Sequence, residues 1–192
     1  TTNLCLNGHN ITSTEDDDGT VVLNNSYSTL NLYDEHTGES AGAISSKSED
    51  GVLLKEDRAA FNMYGGKISN CDDYGVDLDD TGTSFNMYNG EISSCYDGVA
   101  VGSDAAFTLH NGNIKGNETC GVNSYGNVII ENGSITNNKT GIKTFPSTKQ
   151  ITLQGSNTSP VITGNTEHNL LLNRSNDLKI NVSDGTTISG KA

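Results

Sequence analysis

Residues suited to chemistry recur in this chain at wide, nearly even intervals. Tyr33, Tyr64, Tyr88 and His110 each close a short apolar–x–apolar run: L30-N-L, F61-N-M, F85-N-M and F107-T-L. If each run is a strand, its apolar residues point one way and the ring after them points the other. The whole outward row then reads Asn7, Tyr33, Tyr64, Tyr88, His110, Glu131 and Gln154. Rings stacked in this way do one of two things. They form a ladder that stabilises the sheet surface, or a stripe on which a sugar or a protein partner docks. Spacing alone supports both.

Other reactive side chains show no such order. Asp72, Asp73, Asp77, Asp79, Asp80, Asp97, Asp104 and the run E15-D-D-D crowd the remaining corners. D77-L-D-D-T-G supplies the oxygens that calcium prefers, but EF-hand spacing and the G-G-x-G-x-D roll are both absent. A solvated acidic surface is the expected reading, with no metal and no cofactor. Asp79/Asp80 or Asp72/Asp73 would be the carboxylate pairs for glycoside hydrolysis. A lyase needs a basic group beside acidic metal ligands, and Arg58 and Arg174 each lack a companion. His9, His36, His110 and His168 occupy different positions of the turn, which suggests no triad or metal cluster. Cys5, Cys71, Cys95 and Cys120 show no C-x-x-C spacing, against a zinc or thioredoxin-like site.

A repeat must position these side chains. Runs beginning at Phe61, Phe85, Phe107, Val128 and Ile151 recur with a period of roughly 22 residues. Each is followed by a Gly/Asn turn and then an isoleucine: Ile11, Ile44, Ile68, Ile92, Ile114, Ile135, Ile162 or Ile188. A third apolar patch follows a glycine, as in G51-V-L-L, G75-V-D-L and G98-V-A-V, with N169-L-L-L in the seventh turn. Residues Asp34–Ala41 and Ser156–Pro160 read as insertions. Three strand-like patches per turn, without the leucine-rich-repeat framework, specify a solenoid that winds three sheets. The expected fold is all-β: a right-handed parallel β-helix of about eight turns of roughly 22 residues, three short strands per turn. It forms one domain over residues 1–192, a rod on the order of 35–40 Å long.

Like should stack on like. Phe61, Phe85 and Phe107 form one expected interior column; Met63, Met87 and Leu109 form a second, and the isoleucines a third. Aligning L4-C-L with L30-N-L brings the first turn into the same frame. Gly65, Asn89, Asn111 and Asn132 share a corner where a left-handed backbone and stacked amides are expected. Cys71 and Cys95 share another position one turn apart, continued by Asn117 and Asn138, and stacked thiols are expected there rather than a bridge.

The motifs L4-C-L-N-G-H-N-I-T, L30-N-L-Y-D and F61-N-M-Y-G-G-K-I-S-N resemble the β-helix repeats of large cell-surface proteins of gut Firmicutes. The resemblance covers essentially the whole chain, and its motif is specific for fold. Such regions serve as stalks or adhesive segments. Relatives often carry a cysteine after L-Y-D, where this chain has Glu35, so a bridge from Cys5 to that loop is unavailable.

The chain has 11 Lys and Arg against 24 Asp and Glu, a formal charge of −13. That surface repels phosphate backbones and anionic membranes, so no nucleic acid partner is expected. No apolar run is long enough to cross a membrane as a helix. The chain starts T1-T-N-L without methionine or leader, and reads as a mature or excised piece of a longer protein. The expected function is a non-catalytic binding module of a secreted or wall-attached bacterial protein. Its partner would be a host glycan, a mucin or a host protein such as immunoglobulin. Two other classes compete: a carbohydrate-active enzyme of the polysaccharide lyase or hydrolase kind, and a passive stalk.

Overall fold

A computed structural model describes residues 1–14, 18–148, 150–155, 160–173, 179–182 and 187–189. Glu15, Asp16 and Asp17 of the acidic run, residues 156–159 of the second insertion and Arg174 lie outside the described residues. The chain coils into a parallel β-helix. A representative turn runs through strands Ser84–Met87, Glu91–Ser93 and Asp97–Val101. Repetition of this unit builds sheets of 8, 8 and 7 strands, each strand hydrogen-bonded to its equivalents in the turns above and below. Seven turns contribute to all three sheets, and Lys179–Val182 and Thr187–Ser189 extend the first two into an eighth.

Strict in-register pairing turns the sequence period into columns. Phe61, Phe85 and Phe107 stack with ring centroids 4.9 and 5.2 Å apart. Met63 pairs with Met87 and Met87 with Leu109, all fully buried. The isoleucines form a column from Ile11 to Ile188. Each fully buried residue of these columns stabilises the coil by about 2 kcal/mol, and only because neighbouring turns cover it.

The first turn departs from the expected register. Leu4 pairs with Leu32 and Cys5 with Tyr33, two residues from the alignment that placed Leu4 opposite Leu30. A shift of two preserves the inward–outward alternation, so the pattern of apolar residues cannot distinguish the two registers. Leu6, left past the strand, turns under the corner and is buried there, its N–H donating to the Tyr33 carbonyl at 2.9 Å.

Two glycine positions shape the corners. Between the first and second sheets the left-handed residue is Gly66 (φ 83°), Gly90 (φ 110°), Gly112 (φ 113°) or Gly133 (φ 85°). This is one residue after the expected Gly65, Asn89, Asn111 and Asn132. Between the second and third sheets, Gly75 and Gly98 lie against the isoleucine column. A Cβ on either would meet the Cγ2 of Ile92 or Ile114 at 2.7 Å. The glycine before each third patch therefore lets the chain pass over the core.

Candidate functional site

The first sheet and the corner after it carry the outward rings. Tyr33, Tyr64, Tyr88 and His110 form a continuous stack with centroid spacings of 4.8, 4.7 and 4.4 Å and interplanar angles of 4°, 2° and 3°. The tyrosines are 38%, 39% and 39% exposed. With the strand spacing imposing this separation, each ring covers its neighbour's face. The stack therefore shows solvent a row of ring edges and phenol hydroxyls rather than open faces. His110 closes the row, its Nδ1 2.7 Å from Glu131 Oε2. At the other end Cys5, not Asn7, stands opposite Tyr33.

A second ladder runs beside the first, and sequence reading missed it. Asn31 Nδ2 donates to Asn3 Oδ1 (2.8 Å), Asn62 to Asn31 (2.9 Å) and Asn86 to Asn62 (3.0 Å). These residues are the x of each apolar–x–apolar run, a position whose identity stood in plain view. Of the Asn89–Asn111–Asn132 corner, the 3.4 Å bond from Asn132 Nδ2 to Asn111 Oδ1 is the amide stacking observed.

The insertion Asp34–Ala41 folds over this corner and encloses a groove of about 410 Å³. Asp34 holds it in place. Its carboxylate accepts the N–H groups of Gly8 (3.1 Å), His36 (2.9 Å) and Gly42 (2.6 Å), with His36 Nδ1 3.2 Å away. Desolvation pushes this carboxyl up, but the His36, Gly42 and Gly8 amides together outweigh it and hold it below the usual range. The loop tip is a single 3-10 turn, Gly38–Ser40. Gly65, Gly66 and Gly90 lie along the groove floor, and Lys67, Glu91 and Lys115 from the second sheet complete the wall. Asp34, Gly65 and Asn89 directly follow Tyr33, Tyr64 and Tyr88, so ladder and groove share one corner.

The third sheet gathers the acids. Desolvation, reinforced by Asp79 and Asp73, pushes the Asp77 carboxyl up to about 7. Asp77 and Asp79 line a smaller hollow of about 200 Å³ with Tyr74 and Tyr125. Asp50 is pushed up to about 8, mainly by desolvation, although it accepts the Tyr74 N–H at 3.0 Å. Asp97, at the equivalent place in a later turn, is 1% exposed and accepts from Thr119 Oγ1, the Cys120 N–H (2.6 Å) and Asn123 Nδ2 (2.7 Å). The largest upward shifts are thus at Asp50 and Asp77, outside the pairs Asp79/Asp80 and Asp72/Asp73 that the sequence suggests; within those pairs Asp73 is also pushed up, by desolvation and by the charges of Glu49 and Asp97. Depth in the fold, not adjacency in sequence, sets the shift.

The structure leaves the histidines scattered. His36 sits in the loop, His110 ends the ladder, and His168 begins a strand of the third sheet. Among the described residues no three His, Cys, Asp or Glu side chains are grouped to hold a metal ion. All four cysteines are free, and Cys71 and Cys95 are buried one turn apart. The hydrogen bond between these two thiols favours ionisation of Cys95 and, with burial, pushes Cys71 up.

No family model, curated protein or solved structure matches the chain. The functional reading rests on the geometry of the corner itself.

Proposed function

We propose that this β-helix is a non-catalytic binding module of a secreted or wall-attached bacterial surface protein. Its ligand is a host or environmental glycan, mucin or protein. The observation that carries the reading is the pairing of a solvent-facing aromatic ladder with a groove built by an inserted, hydrogen-bonded loop at the same corner. A stalk needs columns inside the coil. It has no use for a loop fastened by three amides to one carboxylate, nor for three tyrosines spending exposed area on solvent. Exposed aromatic groups beside polar ones are the usual anchors of recognition surfaces.

The test is capture from mucin and host secretions by the immobilised chain and by the Tyr64→Ala/Tyr88→Ala double variant. Capture by the parent chain, lost in a double variant that keeps its circular dichroism spectrum, supports the reading. Equal capture by both places recognition elsewhere. No capture by the parent leaves the stalk as the better account.

One observation favours a second reading. Asp77, holding its proton to about pH 7 beside Asp79 in a shallow hollow, has the character of a general acid. Release of reducing ends from plant or mucosal polysaccharide, abolished by Asp77→Asn, would establish a hydrolase.

A further inference from the structure

The groove holds an uneven set of charges. The Asp34 carboxylate is consumed by the amides that fasten the loop. Glu91 pairs with Lys115, Oε2 to Nζ at 2.8 Å, and its other oxygen accepts from Ser93 Oγ at 3.0 Å. Glu91 is also the in-register neighbour of Lys67. Opposite charges on adjacent strands ordinarily pair, yet this carboxylate is turned away toward Lys115. Among the described residues Lys67 has no ion-pair partner, in a chain of net charge −13.

We propose that the groove takes the terminal residue of an acidic glycan, a pyranose bearing a carboxylate, with Lys67 as the counter-ion. This rests on the binding-module reading and names the ligand class for that site. Lys67 stands in the wall of a concave site, where a charge–charge contact is less screened than on an open surface. The exposed amides of Asn89 and Asn113 offer donors and acceptors to ring hydroxyls. Glu39 on the overhanging loop is an acceptor for a hydroxyl that the carboxylate of the ligand leaves free. A volume near 410 Å³ accommodates one or two sugar residues. The tyrosine ladder beside the groove provides ring edges and hydroxyls along which the rest of the glycan lies.

Calorimetric titration with four probes tests this: sialyllactose, lactose, digalacturonate and the same disaccharide reduced at its carboxyls. The expected result is affinity for at least one acidic probe about tenfold above its neutral counterpart, weakening as salt rises. Lys67→Gln, which keeps most of the side-chain stem, should remove that preference. The two acidic probes separate a sialylated source from a uronic acid source. Equal affinity for acidic and neutral probes, or a preference unchanged by Lys67→Gln, overturns the proposal. No binding to any of the four probes overturns it as well. If Tyr64 and Tyr88 are still needed for capture from secretions, the binding-module reading survives that failure; if nothing is captured, it falls too.

Discussion

Of the ladders that run along this coil, one inner and one outer solve different problems. The inner ladder starts at Cys71 and Cys95 and continues through Asn117, Asn138 and Asn165 to Asn169, buried at the corner between the second and third sheets. The Asn138 and Asn165 carbonyls each accept twice from the turn before, and Asn117 Oδ1 accepts the Cys95 N–H at 3.1 Å. Asn138 Oδ1, for example, takes both the Asn117 N–H and Asn117 Nδ2 at 3.0 Å. The outer ladder, Tyr33 to His110, makes no such demand, because its hydroxyls are satisfied by water. Burial obliges the inner ladder to saturate its hydrogen bonds, and so ties its residues to stability. Exposure leaves the outer ladder free to present groups to a partner.

The largest effect should come from breaking the inner ladder. Asn138→Leu orphans two donors of Asn117 and removes the side-chain donor to Asn165 Oδ1, leaving the residue-138 N–H in place, at a cost of about 3 kcal/mol. Urea denaturation would read this as a lower midpoint; a change under about 1 kcal/mol would erase the distinction between the ladders.

Next comes pH. Asp50 lies near the two thiols, and once ionised its charge opposes the ionisation of both. Folded, it keeps its proton to about pH 8, whereas an unfolded chain releases it near 3.8. Between those values the folded state binds more protons, so the contribution is full below the lower one and is lost as pH rises through the upper one. Through Asp50 stability should decline from pH 5 to pH 8 by on the order of 3 kcal/mol, with Asp77 adding to the fall, and Asp50→Asn should make the profile shallower. A profile that rises instead would mean that Asp50 is ionised in the fold.

The outer ladder should respond more weakly. Tyr64→Ala with Tyr88→Ala is expected to cost about 1 kcal/mol of stability while abolishing capture. A loss comparable to that of Asn138→Leu would make the rings a structural brace. Smallest of all, Lys67→Gln should change stability by less than about 0.5 kcal/mol, since among the described residues its ammonium has no ion-pair partner.

The core was open to sequence reading because each period-two strand and the longer repeat agree. The columns of Phe85, Met87 and Ile92 could be named from spacing, and so could the outward side of Tyr88. Other features were closed to it. The register of L4-C-L is ambiguous by two residues, since both choices bury leucine. The asparagine row of Asn31, Asn62 and Asn86 looked like a neutral filler until adjacent turns brought the amides within 3.0 Å. Nothing in D34-E-H-T-G-E-S-A shows that its first carboxylate will be enclosed by Gly8 and Gly42, because one partner comes from the turn before and the other from the far end of the loop.

Composition and spacing therefore determined the coil, its three sheets and the stacking of like residues, since a repeat that buries one turn buries them all. Tertiary structure decided what each stack is for. It closed the tyrosine faces against one another, turned Glu91 from Lys67 toward Lys115, roofed the groove with the Asp34 loop and sank Asp50 among other acids. Those outcomes depend on distances between turns and on access to water, and residues far apart in the chain acquire both only when it winds.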